Sequence, residues 1–185
     1  MAGRNRALTE TRSLVKSASD SPHACIFISH ISIDKAAATD IANYILGADF
    51  DVYFDENDKE LQKAVVERNP WAITQFIERG LANSSHILCL VSESSVSSWW
   101  VPYELGFAKR AGKGLATLKL KGQVSLPEYL QIGRVILGTK SLNEYLSEIK
   151  ATLRKSATAV YLSEGRLIAH SAQPHPLDNR LDWQA

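Results

Sequence analysis

Ser97-Ser98-Trp99-Trp100-Val101-Pro102-Tyr103-Glu104-Leu105-Gly106-Phe107-Ala108 follows a fully apolar run, Ile87-Leu88-Cys89-Leu90-Val91, that stops at Ser92. Lys109, Arg110 and the pair Gly112 and Gly114 come after it. This order reads as a strand, a short loop, a helix, and a helix stop with cations in its last turn. Pro102 fits such a helix only within the first turn, where a missing N–H is tolerated. Trp100 and Glu104 are four apart and so share one helix face, which Phe107 and Ala111 continue. A carboxylate among Trp, Tyr, Leu and Phe just inside a helix start is an uncommon placement. Its plainest role is to sit favourably in the helix dipole.

Working outward, Ala24-Cys25-Ile26-Phe27-Ile28 is a second continuous apolar run, the pattern of a strand buried on both faces of a parallel sheet. It ends abruptly at Ser29-His30. Ser32 or Asp34 is placed to cap the helix that follows, with Ala38, Ile41 and Ile45 at helical spacing and Gly47 at its end. Phe50-Asp51-Val52-Tyr53-Phe54-Asp55 alternates and predicts a strand nearer an edge. Glu56 to Asn69 is charged and long for a connection, with one helical turn allowed at Leu61, Ala64 and Val65, and is expected to be functional or mobile. Asn69-Pro70 starts a helix whose stripe is Ile73, Phe76, Ile77 and Leu81. Leu115 to Leu120 and Arg134 to Leu137 are the fourth and fifth strands. Ser141-Leu142-Asn143-Glu144 reads as a capping box before the last helix. Three segments result: a polar arm over residues 1–22, in which Ala7 to Val15 allow a short helix, a domain over 23–158, and a tail over 159–185.

The composition narrows the class. The 185 residues are 45% hydrophobic and 22% charged, enough for one globular domain with tails. A formal net charge of +1 removes any strong electrostatic case for nucleic acid or an anionic membrane. No apolar run approaches a membrane span, and no apolar segment follows the N-terminal arginines, so a soluble cytoplasmic protein is expected. The two cysteines, Cys25 and Cys89, each lie in an apolar strand run, and the five histidines are scattered, so no metal site is expected.

Strand and helix alternate through five strands, which predicts an α/β fold with a parallel sheet and helices on both faces. The flavodoxin-like order 2-1-3-4-5 fits. In that order the chain reverses direction between strands 1 and 3, and ligands sit at the carboxyl ends of those strands. Ser29-His30 ends strand 1, and strand 3 feeds the helix bearing Trp100 and Glu104. The carboxylate therefore falls beside the crevice that this topology reserves for ligands.

These residues also resemble a known family. Ile26-Phe27-Ile28-Ser29-His30 with Asp34-Lys35 is similar to the first box of a Toll/interleukin receptor (TIR) domain. Val52-Tyr53-Phe54-Asp55 and the stretch after it resemble its second strand and following loop. Ile87 to Ser92, then Trp99-Trp100 and Glu104-Leu105, resemble its third strand and the Trp-x-x-x-Glu helix start. The likeness runs from about Ala24 to Lys155. It implies an enzyme of the bacterial NAD-consuming type that cleaves NAD between nicotinamide and ribose, with Glu104 catalytic and Ser29, His30, Ile31, Asp55 and Trp100 contacting substrate. NAD would be substrate, with no further cofactor. The resemblance also implies other TIR protomers as partners, a downstream effector that senses the product, and a role in anti-phage immunity.

The chemistry is consistent with this. Nicotinamide in NAD is already a pyridinium cation, so it departs neutral without a general acid, and one of the two carboxylates of an ordinary glycosidase is dispensable. One desolvated anion suffices to stabilise the oxocarbenium-like carbon or hold the ribose hydroxyls. A non-catalytic TIR scaffold that recruits other copies through residues 56–69, and a nucleoside deoxyribosyltransferase-like enzyme of similar fold, remain the alternatives. Individually, Ser29 also suits a strand terminus, His30 a polar strand end, and Asp55 a turn.

Overall fold

The computed structural model describes residues 3–8, 24–95, 98–156 and 174–184. Five parallel strands form one sheet: β1 (Cys25–Ser29), β2 (Asp51–Tyr53), β3 (His86–Val91), β4 (Gly114–Lys119) and β5 (Arg134–Ile136), in the order β2-β1-β3-β4-β5. The fold is the flavodoxin-like α/β architecture expected from the alternating pattern. Helices α1 (Lys35–Gly47) and α5 (Thr139–Ser156) pack with Ile26, Ile28, Leu88, Leu90 and Leu118 on one face. Helices α2 (Lys59–Val66), α3 (Pro70–Ala82) and α4 (Trp100–Arg110) cover Cys25, Phe27, Ile87, Cys89 and Val91 on the other. Each strand thus divides its alternate residues between two cores, which is why the runs are apolar throughout. Ser29 pairs in register with Cys89, so β1 ends beside β3, which runs on to Val91, where the sheet reverses direction.

Several local expectations change. α1 does end at Gly47, but the left-handed residue that turns the chain is Asp49, with φ of 61°. The connection after β2 is ordered. Asp55–Asn57 forms a 3-10 turn, and α2 follows, with the Asp58 carboxylate accepting from the backbone N–H groups of Glu60 and Leu61 at 3.1 Å each. Only Leu61 and Ala64 of α2 are buried, so the segment carries little apolar signal. Helix α5 begins two residues before Ser141, whose hydroxyl instead accepts from Leu137 and Gly138 N–H. The capping box therefore lies inside the first turn, and Glu144 is paired with Arg134 at 3.9 Å.

Both termini return to the domain. Asn5 bridges Val52 in parallel, and Val52 N–H donates to Arg4 O at 3.0 Å, so residues 3–8 line the outer edge of β2. Arg6–Leu8 forms a 3-10 turn, and the rest of the expected Ala7–Val15 helix lies outside the described residues. His175, Leu177 and Leu181 are buried, the two leucines in the α1/α5 core.

Candidate active site

Glu104 lies in the first half of α4 and faces the sheet. Val101, Leu105 and Ala108 fill the buried face of the helix with it, while Trp100 is 41% exposed and Ala111 is exposed. The inward stripe is therefore rotated by one position from the Trp100–Glu104–Phe107–Ala111 face that the spacing suggested. Aliphatic side chains pack flat against the strands. The larger rings go to the rim, where Trp100 meets Tyr103 edge-on at 6.0 Å between centroids. Helix α4 starts without a cap from Trp99, and Ser98 Oγ accepts from Trp100 N–H at 3.2 Å instead.

Rotation of α4 brings Glu104 over the tip of β1. The Ser29 hydroxyl donates to Glu104 Oε2, and both residues are buried, with Glu104 only 4% exposed. Burial pushes the Glu104 carboxyl up to about 8; the Ser29 hydrogen bond opposes that rise and the Asp55 carboxylate adds to it. Cys89, beside Ser29 in the sheet, is fully buried, and its thiol is driven well up by burial and then by the charge of Glu104. Cys89 is a packed neighbour of the acid and no nucleophile.

His30 follows Ser29 and is held between two acids of the turn after β2. Its Nδ1 lies 3.5 Å from Asp55 Oδ1 and its Nε2 3.8 Å from Glu56 Oε1, while Glu56 also pairs with Lys35. The imidazole packs against Phe54 at 5.1 Å between centroids. His30 Nδ1 and Asp55 Oδ1 are both buried without a hydrogen-bond partner, two polar atoms a ligand hydroxyl is able to satisfy. Burial pushes the Asp55 carboxyl up to about 6; His30 lowers it and Glu56 raises it, and with 21% of the side chain still exposed, water offsets part of that rise. Ile31 is half-buried against the α2/α3/α4 core. The structure thus gathers Ser29 and Glu104 into direct contact and His30 and Asp55 into a second pair. Trp100 stands at the outer rim.

Sequence reasoning passed over three participants. Asp34 does stand at the start of α1, but its carboxylate gives that helix no cap and accepts from Ser92 Oγ at 2.7 Å, tying the tip of β3 to the loop after β1. Glu56 and Lys35 frame His30. The clue available was position, since all of these sit within a few residues of a strand's carboxyl end. Among the described residues no group of three or more His, Cys, Asp or Glu side chains is arranged to hold a metal ion. Nor is any described helix long and apolar enough to cross a membrane. A cavity of about 400 Å³ lies between α1 and residues 176–179, on the opposite face of the sheet from Glu104.

Compared with known families, the chain matches the TIR domain over residues 26–141, from inside β1 into α5. It belongs to the TIR domain family. The match contains Ser29, His30, Asp55 and Glu104. A protein of Bacillus cereus (strain MSX-D12) named "Probable 3' cyclic ADP-D-ribose synthase ThsB'" is 31% identical over 83 residues, 44% of this chain and 42% of that protein. The TIR chain therefore spans less than half the length of that relative in the aligned part.

Proposed function

We propose that this TIR domain cleaves NAD at the bond between nicotinamide and ribose, with Glu104 as the catalytic carboxylate. The observation that carries the reading is a buried acid at the sheet's reversal point whose named neighbours are a hydroxyl, a thiol and another carboxylate. Among the described residues no cation is paired with it, and such a group gains most from a cation brought by a ligand. The nicotinamide ring supplies one, and the ribosyl carbon supplies the next as the glycosidic bond breaks and the ring leaves with its electron pair. His30, Ile31 and Asp55 are proposed to contact the substrate, the first and last through ribose hydroxyls, with Trp100 walling the outer side. Ser29 completes the set through Glu104.

The name of the Bacillus cereus relative, a cyclic ADP-D-ribose synthase, favours a cyclic product over ADP-ribose. A buried acid agrees with this. Where water is scarce, a hydroxyl of the same molecule attacks the ribosyl carbon, and its proton passes to the carboxylate. Burial raises the carboxyl to about 8, so the site without substrate favours the protonated acid at neutral pH, and the cation of the bound substrate draws it into the base form. A place in anti-phage defence, with a downstream effector that reads the product, follows the same analogy.

A second reading, self-assembly, is favoured by exposed apolar side chains. Val66, Trp71 and Trp99 keep 83%, 73% and 90% of their surface. Aromatic side chains such as Trp71 and Trp99 are enriched at protein–protein contacts, here with another copy. One experiment addresses both readings: incubation with NAD across a protein concentration series, with mass spectrometry of the products and deoxynucleosides as the comparison substrate. Nicotinamide release that rises faster than protein concentration is expected. Turnover of deoxynucleosides instead of NAD would overturn the reading. Glu104→Ala should release at least about 100-fold less nicotinamide while keeping its circular dichroism spectrum, in line with the loss of one electrostatic stabiliser.

A further inference from the structure

We propose that Ser29 is a positioning residue for Glu104, holding the carboxylate in the orientation and ionised form the reaction uses, and that it does not itself touch substrate. The proposal rests on the reading of Glu104 as the catalytic carboxylate.

Cys25, Phe27 and Ser29 alternate onto the α2/α3/α4 face of β1, so Ser29 ends a column that is otherwise sulfur and hydrocarbon. Its in-register neighbour on β3 is Cys89, and the core on this face of the sheet includes Val101 and Leu105 of α4. A hydroxyl at such a place needs a partner, and Glu104 Oε2 is that partner. With 1% of its surface exposed, Ser29 is walled off by the sheet and the helix. One carboxylate oxygen is thereby fixed by Ser29, and the role proposed for the other, Oε1, is to serve the reacting carbon. The other influences on Glu104, burial and the Asp55 carboxylate, both oppose its charge. The Ser29 hydrogen bond favours the anion.

The test compares wild type with Ser29→Ala and Ser29→Thr in two measurements. The first is the pH profile of kcat and kcat/KM for nicotinamide release. The second is the titration of Glu104 by ¹³C-carboxyl NMR, with the resonance assigned from Glu104→Gln, and it needs no turnover. Loss of a hydrogen bond to a charged group should move the acidic limb and the NMR midpoint upward by about 1–2 pH units in Ser29→Ala. Ser29→Thr, which keeps the hydroxyl, should stay within a few tenths of a unit of wild type. KM should change less than kcat. An unmoved NMR midpoint overturns the proposal, whatever happens to turnover. So does a rise in KM with the limb in place, because that is the signature of a substrate contact. A shifted midpoint in a protein without NAD turnover upholds the positioning role and rejects the NAD reading. Should Ser29→Ala fail to fold, Ser29→Cys, a near-isosteric weak donor, replaces it with the same criteria.

Discussion

Glu104 is held in a place that solvent pH penalises. Its carboxyl is raised in the folded chain to about 8 from an ordinary value of 4.5, so the fold prefers the neutral acid. Below about pH 4.5 both folded and unfolded chains hold the proton, and there is no penalty. Between 4.5 and 8 the unfolded chain ionises first, so the fold loses stability as pH rises, by on the order of 5 kcal/mol once both are ionised. Glu104→Gln keeps an acceptor for the Ser29 hydroxyl and removes the charge. Its urea midpoint should exceed that of wild type at pH 8.5, with the gap closing towards pH 4.5. Parallel curves at all pH values would contradict the burial of an unpaired carboxylate. The position of this acid was legible in the sequence, because strand order alone puts Glu104 beside Ser29. The bond between them was not. It depends on which of two overlapping stripes of α4 turns inward, and Val101, Leu105 and Ala108 prevail over the aromatic set because they fit against the strands.

At the scale of elements, α2 shows how little apolar signal a helix needs when one polar residue organises it. Asp58 is 4% exposed, caps α2 through two backbone N–H groups, accepts from the Tyr53 hydroxyl and pairs with Arg79 at 3.2 Å. Gly80 lets this happen, since a Cβ there would come within 2.5 Å of the Tyr53 ring. The burial and the acid beside it push the Tyr53 hydroxyl far up, which keeps it a donor. Asp58→Ala removes the cap and leaves the Tyr53 hydroxyl short of a partner, and should cost about 2–4 kcal/mol by urea denaturation. Asp58→Asn, which still caps, should cost less than half of that. The same segment explains where the sequence was hard to read. The apolar strands announced themselves because both faces are buried, as did α3 with its Asn69 cap on Ala72 N–H. The stretch from Asp55 to Val66 is polar because it covers the sheet with two small contacts, and its order comes from Asp58, through its cap, Tyr53 and Arg79.

The whole molecule closes its sheet with its own ends. At the far side, Lys121 N–H donates to Arg180 O at 2.8 Å and Thr139 N–H to Asp182 O at 3.1 Å, so the C-terminal residues seal the ends of β4 and β5. At the near side, residues 3–8 run along β2, which would otherwise present unpaired backbone groups to another chain. Among the described residues an ion pair with buried Asp51 helps to anchor the arm. Arg6 meets Asp51 Oδ2 at 2.8 Å through both Nε and NH2, reaches Asn83 O at 3.1 Å, and leaves Asp51 Oδ1 to accept from Arg4 N–H. Asp51 sits in an edge strand whose residues are all buried, and that guanidinium lies against its carboxylate as a counter-charge. The polar residue in the alternation that predicted an edge strand, Asp51, is buried because the arm takes the place of solvent there. Arg6→Ala strands a buried carboxylate and should cost about 3 kcal/mol. Because the arm pairs with Val52 through backbone, the same substitution should speed hydrogen exchange at the Val52 amide relative to the central strand β3. Equal protection of Val52 in the variant and in wild type would mean that the arm stays in place without its ion pair, and that main-chain pairing alone closes this edge.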